Sequence, residues 1–503
     1  MKMVLRAAAR AVVGIAVVGF LAGCGSMRSY DSELVGVRDK LAVGQTDLAL
    51  MDHERSNTGD KDLLYYFEKG EILRLKKDFA GSRDMWLKAD EQVQAWENDA
   101  RTDTEKYLKG ALTVIANDKT SRYDGFDYEK VMLSTRVALD HIAVGDWAAV
   151  RTEIKKTHER ESLIKELNEK KYAQVEQEAS KNRNVKSSYN TLKGYPVETL
   201  DDPDVVNLRN GYQSAFSHYL AGFVYEALGE PGLAAPGYRS AIELRPNIPV
   251  LVEGLRDLDA RVSKARNAKG ETDVLFVVES GMAPARKSHS IPIPLITHRG
   301  PIINQISFPV IQPDRSVSIP PEITLGTGVK VAITPVTSID AMARRVLRDD
   351  MPGIIVRTIV RATTRAVAQA EVSKRVGNQF GLLGSLASNI GSTVVNAAIE
   401  QADERVWRTL PAHISIGRAR LPSGSHTLRV PTPAGFQTVA VKTEGKYAVV
   451  QLRLIANHLY VLQEGAATIV APPAPVAATP VAAGSAKPAP VKSSAPAPTA
   501  SAL

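Results

Sequence analysis

FSHYLAGFVYEALGEPGLAAPGYRSAIELRP, residues 216–246, is the stretch that decides the fold of the first half of this chain. Apolar residues recur at helical spacing on both sides of a Gly-Glu-Pro turn, which predicts two helices joined as a hairpin. Small side chains let the two helices approach closely, two tyrosine rings fill the wedge between them, and a proline ends the second helix. These residues are Gly222, Ala234 and Ala241, then Tyr225 and Tyr238, and finally Pro246.

The spacing in this hairpin resembles that of a tetratricopeptide repeat (TPR), and two weaker copies precede it. The first copy contains Gly70, Leu73, Asp78-Phe79, Ser82, Trp86 and Ala89, and the second contains Ala138, Gly145, Asp146-Trp147 and Ile154. The copies lie further apart than one unit of about 34 residues, so additional helices must lie between them. We therefore expect an N-terminal α-helical, TPR-like solenoid over residues 31–268.

From residue 269 the composition changes to short apolar runs bounded by proline and glycine, which are typical of β-strands. Val274–Val278 is a continuous apolar run that suits a strand buried on both faces. Further strands are predicted at Ile302–Pro309, Ser316–Ile319 and Lys330–Pro335, and within His413–Val461. The chain is therefore predicted to be an α+β protein in which residues 269–465 form a β-rich sandwich or small barrel.

A pair of helices is predicted as an insertion in this β-rich domain, over residues 340–406. Asp340 is a suitable cap for the first helix, and Pro352 fits the first turn of a second helix that runs to about residue 375. On the second helix Arg357, Arg361 and Arg365 recur every four residues and form a basic stripe. This stripe is a candidate surface for anionic lipid or an acidic partner, and a solvated helix face is the ordinary alternative.

The glycine-rich run from Gly377 to Ile399 follows the basic stripe in the predicted insertion. Glycine lowers helix propensity by about 1 kcal/mol relative to alanine, so this run indicates close packing of one helix on another element. A hairpin that dips into a membrane is the alternative, although the hydroxyl and amide side chains of the run would be costly in lipid.

The N-terminus has the layout of a secretory signal. Residues 1–23 combine Lys2, Arg6 and Arg10 with an uncharged apolar run, and they end directly before Cys24, the only cysteine of the chain. The tetrapeptide Leu21-Ala22-Gly23-Cys24 resembles the lipobox of bacterial lipoproteins. That resemblance implies acylation of Cys24, a lipidated linker over residues 24–30, and attachment of the mature protein to a membrane.

The residue after Cys24 is Gly25. In lipoproteins of bacteria with two membranes, an aspartate at this place usually retains the protein in the inner membrane, so the family rule implies the periplasmic face of the outer membrane. At the other end, residues 466–503 are rich in alanine and proline and carry few charges. Such a segment cannot bury enough apolar surface to fold, so we expect a disordered tail.

Composition excludes several classes of function. A net charge of +8 over 503 residues is too dilute to favour binding of nucleic acid. With Cys24 acylated, no thiol remains for disulfides, thiol catalysis or metal binding. The nine histidines form no HExxH or HxH motif, and no phosphate loop or dinucleotide fingerprint follows a suitable strand. We therefore expect no enzymatic activity, no catalytic or metal-ligating residues and no cofactor.

Several stretches are similar to a family of bacterial tetratricopeptide-repeat outer-membrane lipoproteins. They are the Gly70–Ala89 hairpin, Tyr123–Met132, Glu279–Pro284, Ile291–Pro294 and Gln401–Pro411. The last stretch contains the fairly specific run Trp-Arg-Thr-Leu-Pro. The resemblance implies a helical repeat half followed by a β-rich half on a lipid anchor, and it brings no established activity or catalytic residues with it.

Two functional hypotheses from different classes follow. Stacked helical repeats present a concave surface that suits a peptide or protein, so the first is a lipid-anchored adaptor that binds envelope protein partners, for example in envelope assembly or peptidoglycan synthesis. The repeats would otherwise serve only to position the second half. The second hypothesis is a lipid- or glycan-binding protein that uses the β-rich domain and the basic stripe.

Overall fold

The computed structural model of the chain describes residues 30–105, 108, 122–181, 187–267, 270–297, 300–365, 401–463 and 469–470. In this described part, helices occupy the first half and β-sheets the second, so the predicted α+β class is confirmed. The change from helix to strand falls between Asn267 and Glu271.

The helical half consists largely of antiparallel pairs of helices. In chain order its described helices are α1 Tyr30–Glu33, α2 Val35–Ala42, α3 Thr46–Ser56, α4 Leu63–Leu75, α5 Phe79–Thr102, α6 Asp127–Ala143, α7 Trp147–Lys181, α8 Pro203–Val206, α9 Ala215–Ala227, α10 Pro231–Leu244, α11 Pro249–Leu255 and α12 Leu258–Asn267. The three predicted hairpins are the pairs α4–α5, α6–α7 and α9–α10, and each pair is in direct contact.

Glycines at two of these hairpins allow the helices to touch. A Cβ atom at Gly70 would overlap the indole ring of Trp86, and one at Gly222 would lie 2.8 Å from the ring of Tyr238. Both aromatic side chains are fully buried. Because these contacts exclude even a methyl group, the predicted role of the small residues in helix packing is confirmed.

The described strands form two five-stranded sheets and one hairpin. They are β1 Glu271–Ser280, β2 Arg286–Thr297, β3 Gly300–Ile311, β4 Glu322–Leu325, β5 Lys330–Ala332, β6 Thr334–Ser338, β7 His413–Pro422, β8 Gly424–Thr432, β9 Gly435–Thr443, β10 Tyr447–Ile455, β11 His458–Val461 and β12 Ile469–Val470. The first sheet has the order β11-β10-β1-β7-β6, the second has the order β12-β9-β8-β4-β5, and β2 pairs with β3. Within the first sheet β1 and β10 are parallel, and its other pairs are antiparallel.

Strand β1 is the centre of the molecule. Val274, Phe276 and Val278 point into an apolar core shared with the second sheet, so the two sheets pack face to face. Leu275 and Val277 point the other way, into the core that contains the helices. The prediction of a strand buried on both faces is confirmed, and the reason is that one face meets a sheet and the other meets the helical half. The described strands do not close into a barrel.

The predicted break in the inserted helices is wrong. The described part of the insertion begins with one helix, α13, which is continuous over residues 339–365 and passes through Pro352. A proline inside a helix removes one hydrogen bond, but Leu347, Met351 and Ile355 around it are fully buried, and this burial favours continuity. Residues 401–407 are not helical, and the predicted run from Gly377 to Ile399 lies outside the described residues.

Three smaller predictions also differ from the structure. Ser316–Ile319 is not a strand, although its Val-Ser-Ile pattern favours one. The helix cap at α13 is Ser338, whose hydroxyl accepts a hydrogen bond from the Ala341 amide at 3.1 Å, whereas Asp340 pairs with Arg344. Ile469–Val470, assigned to the tail, pairs with β9 at Thr438 and Val439, because that edge of the sheet has free backbone groups.

A buried network of charges joins the helical half to the first sheet. It contains three arginines and three carboxyl groups, all at most 1% exposed: Glu71, Arg74, Arg136, Asp140, Glu279 and Arg453. Glu279 on β1 accepts from Arg74 Nη1 at 3.2 Å and from both Nη atoms of Arg136. Burial alone would raise the pKa of Glu279, but the guanidinium groups of Arg136 and Arg74 lower it.

The segment that contains the Trp-Arg-Thr-Leu-Pro run is held by carboxylates of the helical half. The Trp407 amide donates to Glu129 Oε1 at 2.7 Å, and the amides of Arg408 and Thr409 donate to Glu68 at 2.7 and 3.0 Å. Burial raises the pKa of both Glu68 and Glu129 to about 7. Two of the stretches that carry the family resemblance, Tyr123–Met132 and Gln401–Pro411, thus meet at this interface.

Candidate functional site

Two adjacent clefts form one continuous groove along helix α7. Two adjacent cavities of about 330 and 540 Å³ share four lining residues, Lys165, Arg209, Asn210 and Tyr212. One wall is the face of α7 from His158 to Tyr172. The other wall is the loop 209–213, with the end of α10 and the first turns of α13 at its two ends. We call this feature the α7 groove.

The loop of the α7 groove has its shape fixed by one asparagine and one glycine. Asn210 Oδ1 accepts hydrogen bonds from the amides of Tyr212 and Gln213 at 3.2 and 2.9 Å, which is the side-chain turn typical of asparagine. A Cβ at Gly211 would lie 2.6 Å from Val346 Cγ2 and 2.9 Å from the Val346 amide, so only glycine lets the loop lie on α13.

Helix α13 is attached to this loop by arginines. Arg345 donates to the Leu208 carbonyl and pairs with Asp349 at 2.9 Å, and Arg344 pairs with Asp202 at 3.0 Å. On its other side α13 contacts α7, because a Cβ at Gly353 would lie 3.0 Å from Val175 Cγ2. Helix α13 therefore contacts both walls of the groove.

A cluster of two histidines and a glutamate lies at one end of the groove. The rings of His158 and His218 stack with centroids 5.4 Å apart, and His218 Nε2 lies 3.1 Å from Glu161 Oε2. Gln213 Nε2 donates to the same Glu161 oxygen at 3.1 Å. Burial, together with the neighbouring His218, lowers the pKa of His158, so this ring is neutral near pH 7.

The chemistry of the groove suits binding. Polar side chains line both cavities, with the ring of Tyr172 exposed, the ring of Tyr212 half-buried, and the side chains of Lys165 and Glu169 exposed between them. Ser162 follows Glu161 and also lines the groove. Its hydroxyl donates to the His158 carbonyl at 2.9 Å.

The structure places the sequence-predicted site residues as follows. Cys24 lies outside the described residues. Arg357, Arg361 and Arg365 lie on α13 as predicted, but all three are partly buried and each has an interaction partner. Among the apolar residues of the same helix, Ile355 is buried, whereas Val360 is 38% exposed. The three arginines are not lining residues of the α7 groove.

Comparisons with known proteins assign no family to the chain. No protein-family model and no curated protein sequence matches the chain. Among the described residues, no helix combines the length and the apolar composition needed to cross a bilayer. The same residues contain no group of three or more histidine or carboxylate side chains arranged to hold a metal ion.

Sequence reasoning missed the α7 groove. Its residues come from α6, α7, the 209–213 loop, α9, α10 and α13, and only the tertiary packing of these elements brings them together. The local signals that were available are the Asn-Gly-Tyr sequence at 210–212 and the polar face of the long helix α7. Glu161 on α7 is 6% exposed, although a charged residue in a charge-rich helix is usually at the surface.

Proposed function

We propose that the protein is a lipid-anchored adaptor at the periplasmic face of the outer membrane, which binds an extended polar segment of an envelope protein in the α7 groove. The observation that carries this proposal is the groove itself. Its α7 wall runs from residue 158 to residue 172, a helix length of about 21 Å at 1.5 Å per residue. That length matches about six residues of an extended peptide.

The lining of the groove supports a protein ligand. Tyrosine side chains are enriched in protein interfaces because they offer a large apolar ring and one polar atom at a low entropic cost. Tyr172 and Tyr212 line the same cavity, and Tyr172 is 38% exposed. Amide and charged side chains such as Asn168, Lys165 and Glu169 stand between them as partners for a peptide backbone or polar side chains.

In this proposal the hairpins α4–α5, α6–α7 and α9–α10 are TPR-like repeats, and their stack supplies the framework of the groove. The acylated Cys24 supplies attachment to the membrane. The β-rich half braces the framework through the buried charge network and through α13, which forms part of the groove wall. The alternative, binding of lipid or glycan by the Arg357 stripe, has less support because its three arginines are partly buried and already have partners.

The experiment is a crosslinking pull-down from intact cells that express the full acylated chain. The test variant carries Tyr172→Ala and Tyr212→Ala, and the control carries Arg357→Glu, Arg361→Glu and Arg365→Glu. If each tyrosine side chain contributes about 1 kcal/mol or more to binding, removal of both lowers the affinity for the partner by at least about tenfold. We therefore expect the test variant to lose a stoichiometric protein partner that the control keeps. Loss of the partner in the arginine variant alone would contradict the proposal and favour the alternative.

A further inference from the structure

The first helical pair after the predicted anchor exposes an unusual amount of apolar surface. Thirteen large apolar side chains are exposed in the described part of the chain, and four of them lie between residues 35 and 51. These four are Val35, Val43, Leu48 and Met51, with 44, 61, 43 and 55% of their surface exposed. We call them the α2–α3 patch.

The α2–α3 patch belongs to a pair of helices that is firmly attached to the body. Leu34, Val37, Leu41 and Ala49 form its buried face. The Leu41 carbonyl accepts from the Tyr460 hydroxyl at 2.6 Å, and His53 Nε2 lies 3.2 Å from the Tyr65 carbonyl. Both helices therefore already have a core, and the patch is a second apolar surface on their outer side.

The length of the tether limits what can cover this patch. Tyr30 and Asp31 are fixed to the body, because the Tyr30 hydroxyl donates to Glu68 and Asp31 pairs with Arg408 at 2.7 Å. Six residues from Cys24 to Tyr30 reach at most about 22 Å when fully extended. Thirteen residues of mostly helical chain from Tyr30 to Val43 span about 20 Å. The bilayer that holds Cys24 is thus within reach of the whole patch.

The charges that flank the patch are compatible with a lipid surface. Lys40 pairs with Asp52 and Lys76 pairs with Asp47, so two of the acidic side chains beside the patch are matched by lysines, while Glu33 and Asp39 are exposed beside it. Four apolar side chains are too few to hold a protein on a membrane alone, but an anchored chain is already at a high local lipid concentration, where a weak contact suffices to orient it.

We propose that the α2–α3 patch lies against the bilayer in which Cys24 is anchored and thereby sets the orientation of the protein on the membrane. This inference rests on the lipid anchor of the proposed function. It adds that the anchored protein is held in one orientation, with the outer face of α2 and α3 in the headgroup region.

The test uses the single cysteine of the chain. Since Cys24 is acylated, a second cysteine introduced at the surface is the only reactive thiol, and it accepts one bimane label. Met51→Cys and Val43→Cys report on the patch, and Leu233→Cys on α10, where Leu233 is 52% exposed, is the matched control. Each full acylated chain is reconstituted in vesicles of phosphatidylethanolamine and phosphatidylglycerol, with and without lipids that carry a nitroxide on the headgroup.

We expect the nitroxide to quench the labels at Met51 and Val43 several-fold more than the label at Leu233. Equal quenching at all three positions, with the acyl chains on Cys24 confirmed by mass spectrometry, would overturn this inference alone. Labels at Met51 and Val43 shielded from both the lipid nitroxide and aqueous iodide would also overturn it, because a protein would then cover the patch. Absence of the acyl mass would overturn the anchor and this inference together.

Discussion

Substitution of Glu279 by glutamine tests whether the buried charge network holds the two halves together. Glu279 is 1% exposed and accepts from Arg74 Nη1 at 3.2 Å and Arg136 Nη2 at 3.3 Å, in addition to Arg136 Nη1. Glutamine keeps the size of the side chain but removes its charge. Two guanidinium groups from the helical half would then face a neutral amide on strand β1.

The expected magnitude follows from the partners that remain. Breaking a buried ion pair from one side costs about 3–5 kcal/mol, because it leaves an uncompensated charge. Here Arg74 keeps Asp140, with Nε and Oδ1 3.0 Å apart, and Arg136 keeps Glu71, with Nε and Oε2 3.1 Å apart. We therefore expect the lower end of the range, a loss of about 3 kcal/mol in the free energy of unfolding.

Urea unfolding followed by tryptophan fluorescence measures this loss. Urea is uncharged and leaves ion pairs unscreened, and Trp86 and Trp407 are fully buried near this interface. Glu271→Gln, at an exposed position of the same strand, is the control and is expected to change stability by less than about 0.5 kcal/mol. A loss below about 1 kcal/mol for Glu279→Gln would refute the reasoning.

Two further substitutions test the packing and the charges of the helical half. Burial raises the pKa of Asp140 to about 7, so the folded state favours its protonated form. This preference stabilises the folded protein fully at a pH below the pKa that Asp140 has in the unfolded chain. The stabilisation is lost as pH rises through 7, and the loss in the free energy of unfolding is at most about 4 kcal/mol. The free energy of unfolding should therefore fall less steeply between pH 5 and 8 in Asp140→Asn than in the wild type, and parallel pH profiles would contradict the assignment. Gly222→Ala places a methyl group 2.8 Å from the buried ring of Tyr238 and should cost about 1–3 kcal/mol in thermal or urea unfolding. Gly232→Ala, on the exposed face of α10 with nothing within 4 Å, should be neutral or slightly stabilising, and equal effects of the two substitutions would exclude the close approach of α9 and α10.

The elements that sequence reasoning predicted correctly are those with a local signal. The hairpins α4–α5 and α9–α10 carry small residues and aromatics at helical spacing, and the contacts of Gly70 and Gly222 show why those types are needed. The apolar run of β1 likewise predicts a strand with two buried faces. In each case the residues that form the contact are close in sequence or belong to one strand.

The elements that it missed depend on contacts between distant parts of the chain. The rule that proline lies at the start of a helix predicts a break at Pro352, but α13 is continuous there. Burial of Met351 and Ile355 in the core favours this continuity. The α7 groove requires Gly211 to lie on Val346 and Gly353 to lie beside Val175, which no periodicity indicates. The family resemblance did not indicate the α7 groove either. The Trp407 run lies at the interface between the two halves, where it contacts Glu68 and Glu129.

The central claim is that the α7 groove binds a protein in the envelope, and site-specific photocrosslinking in living cells tests it most directly. A benzoylphenylalanine replaces Tyr172 in the groove of the full acylated chain, and a second strain carries the same residue at Leu233, outside the groove and similarly exposed. We predict one discrete crosslinked protein at Tyr172 that disappears when Tyr212→Ala is added, and none at Leu233. The same crosslinks at both positions, or a crosslink at Tyr172 that Tyr212→Ala leaves unchanged, would contradict the claim.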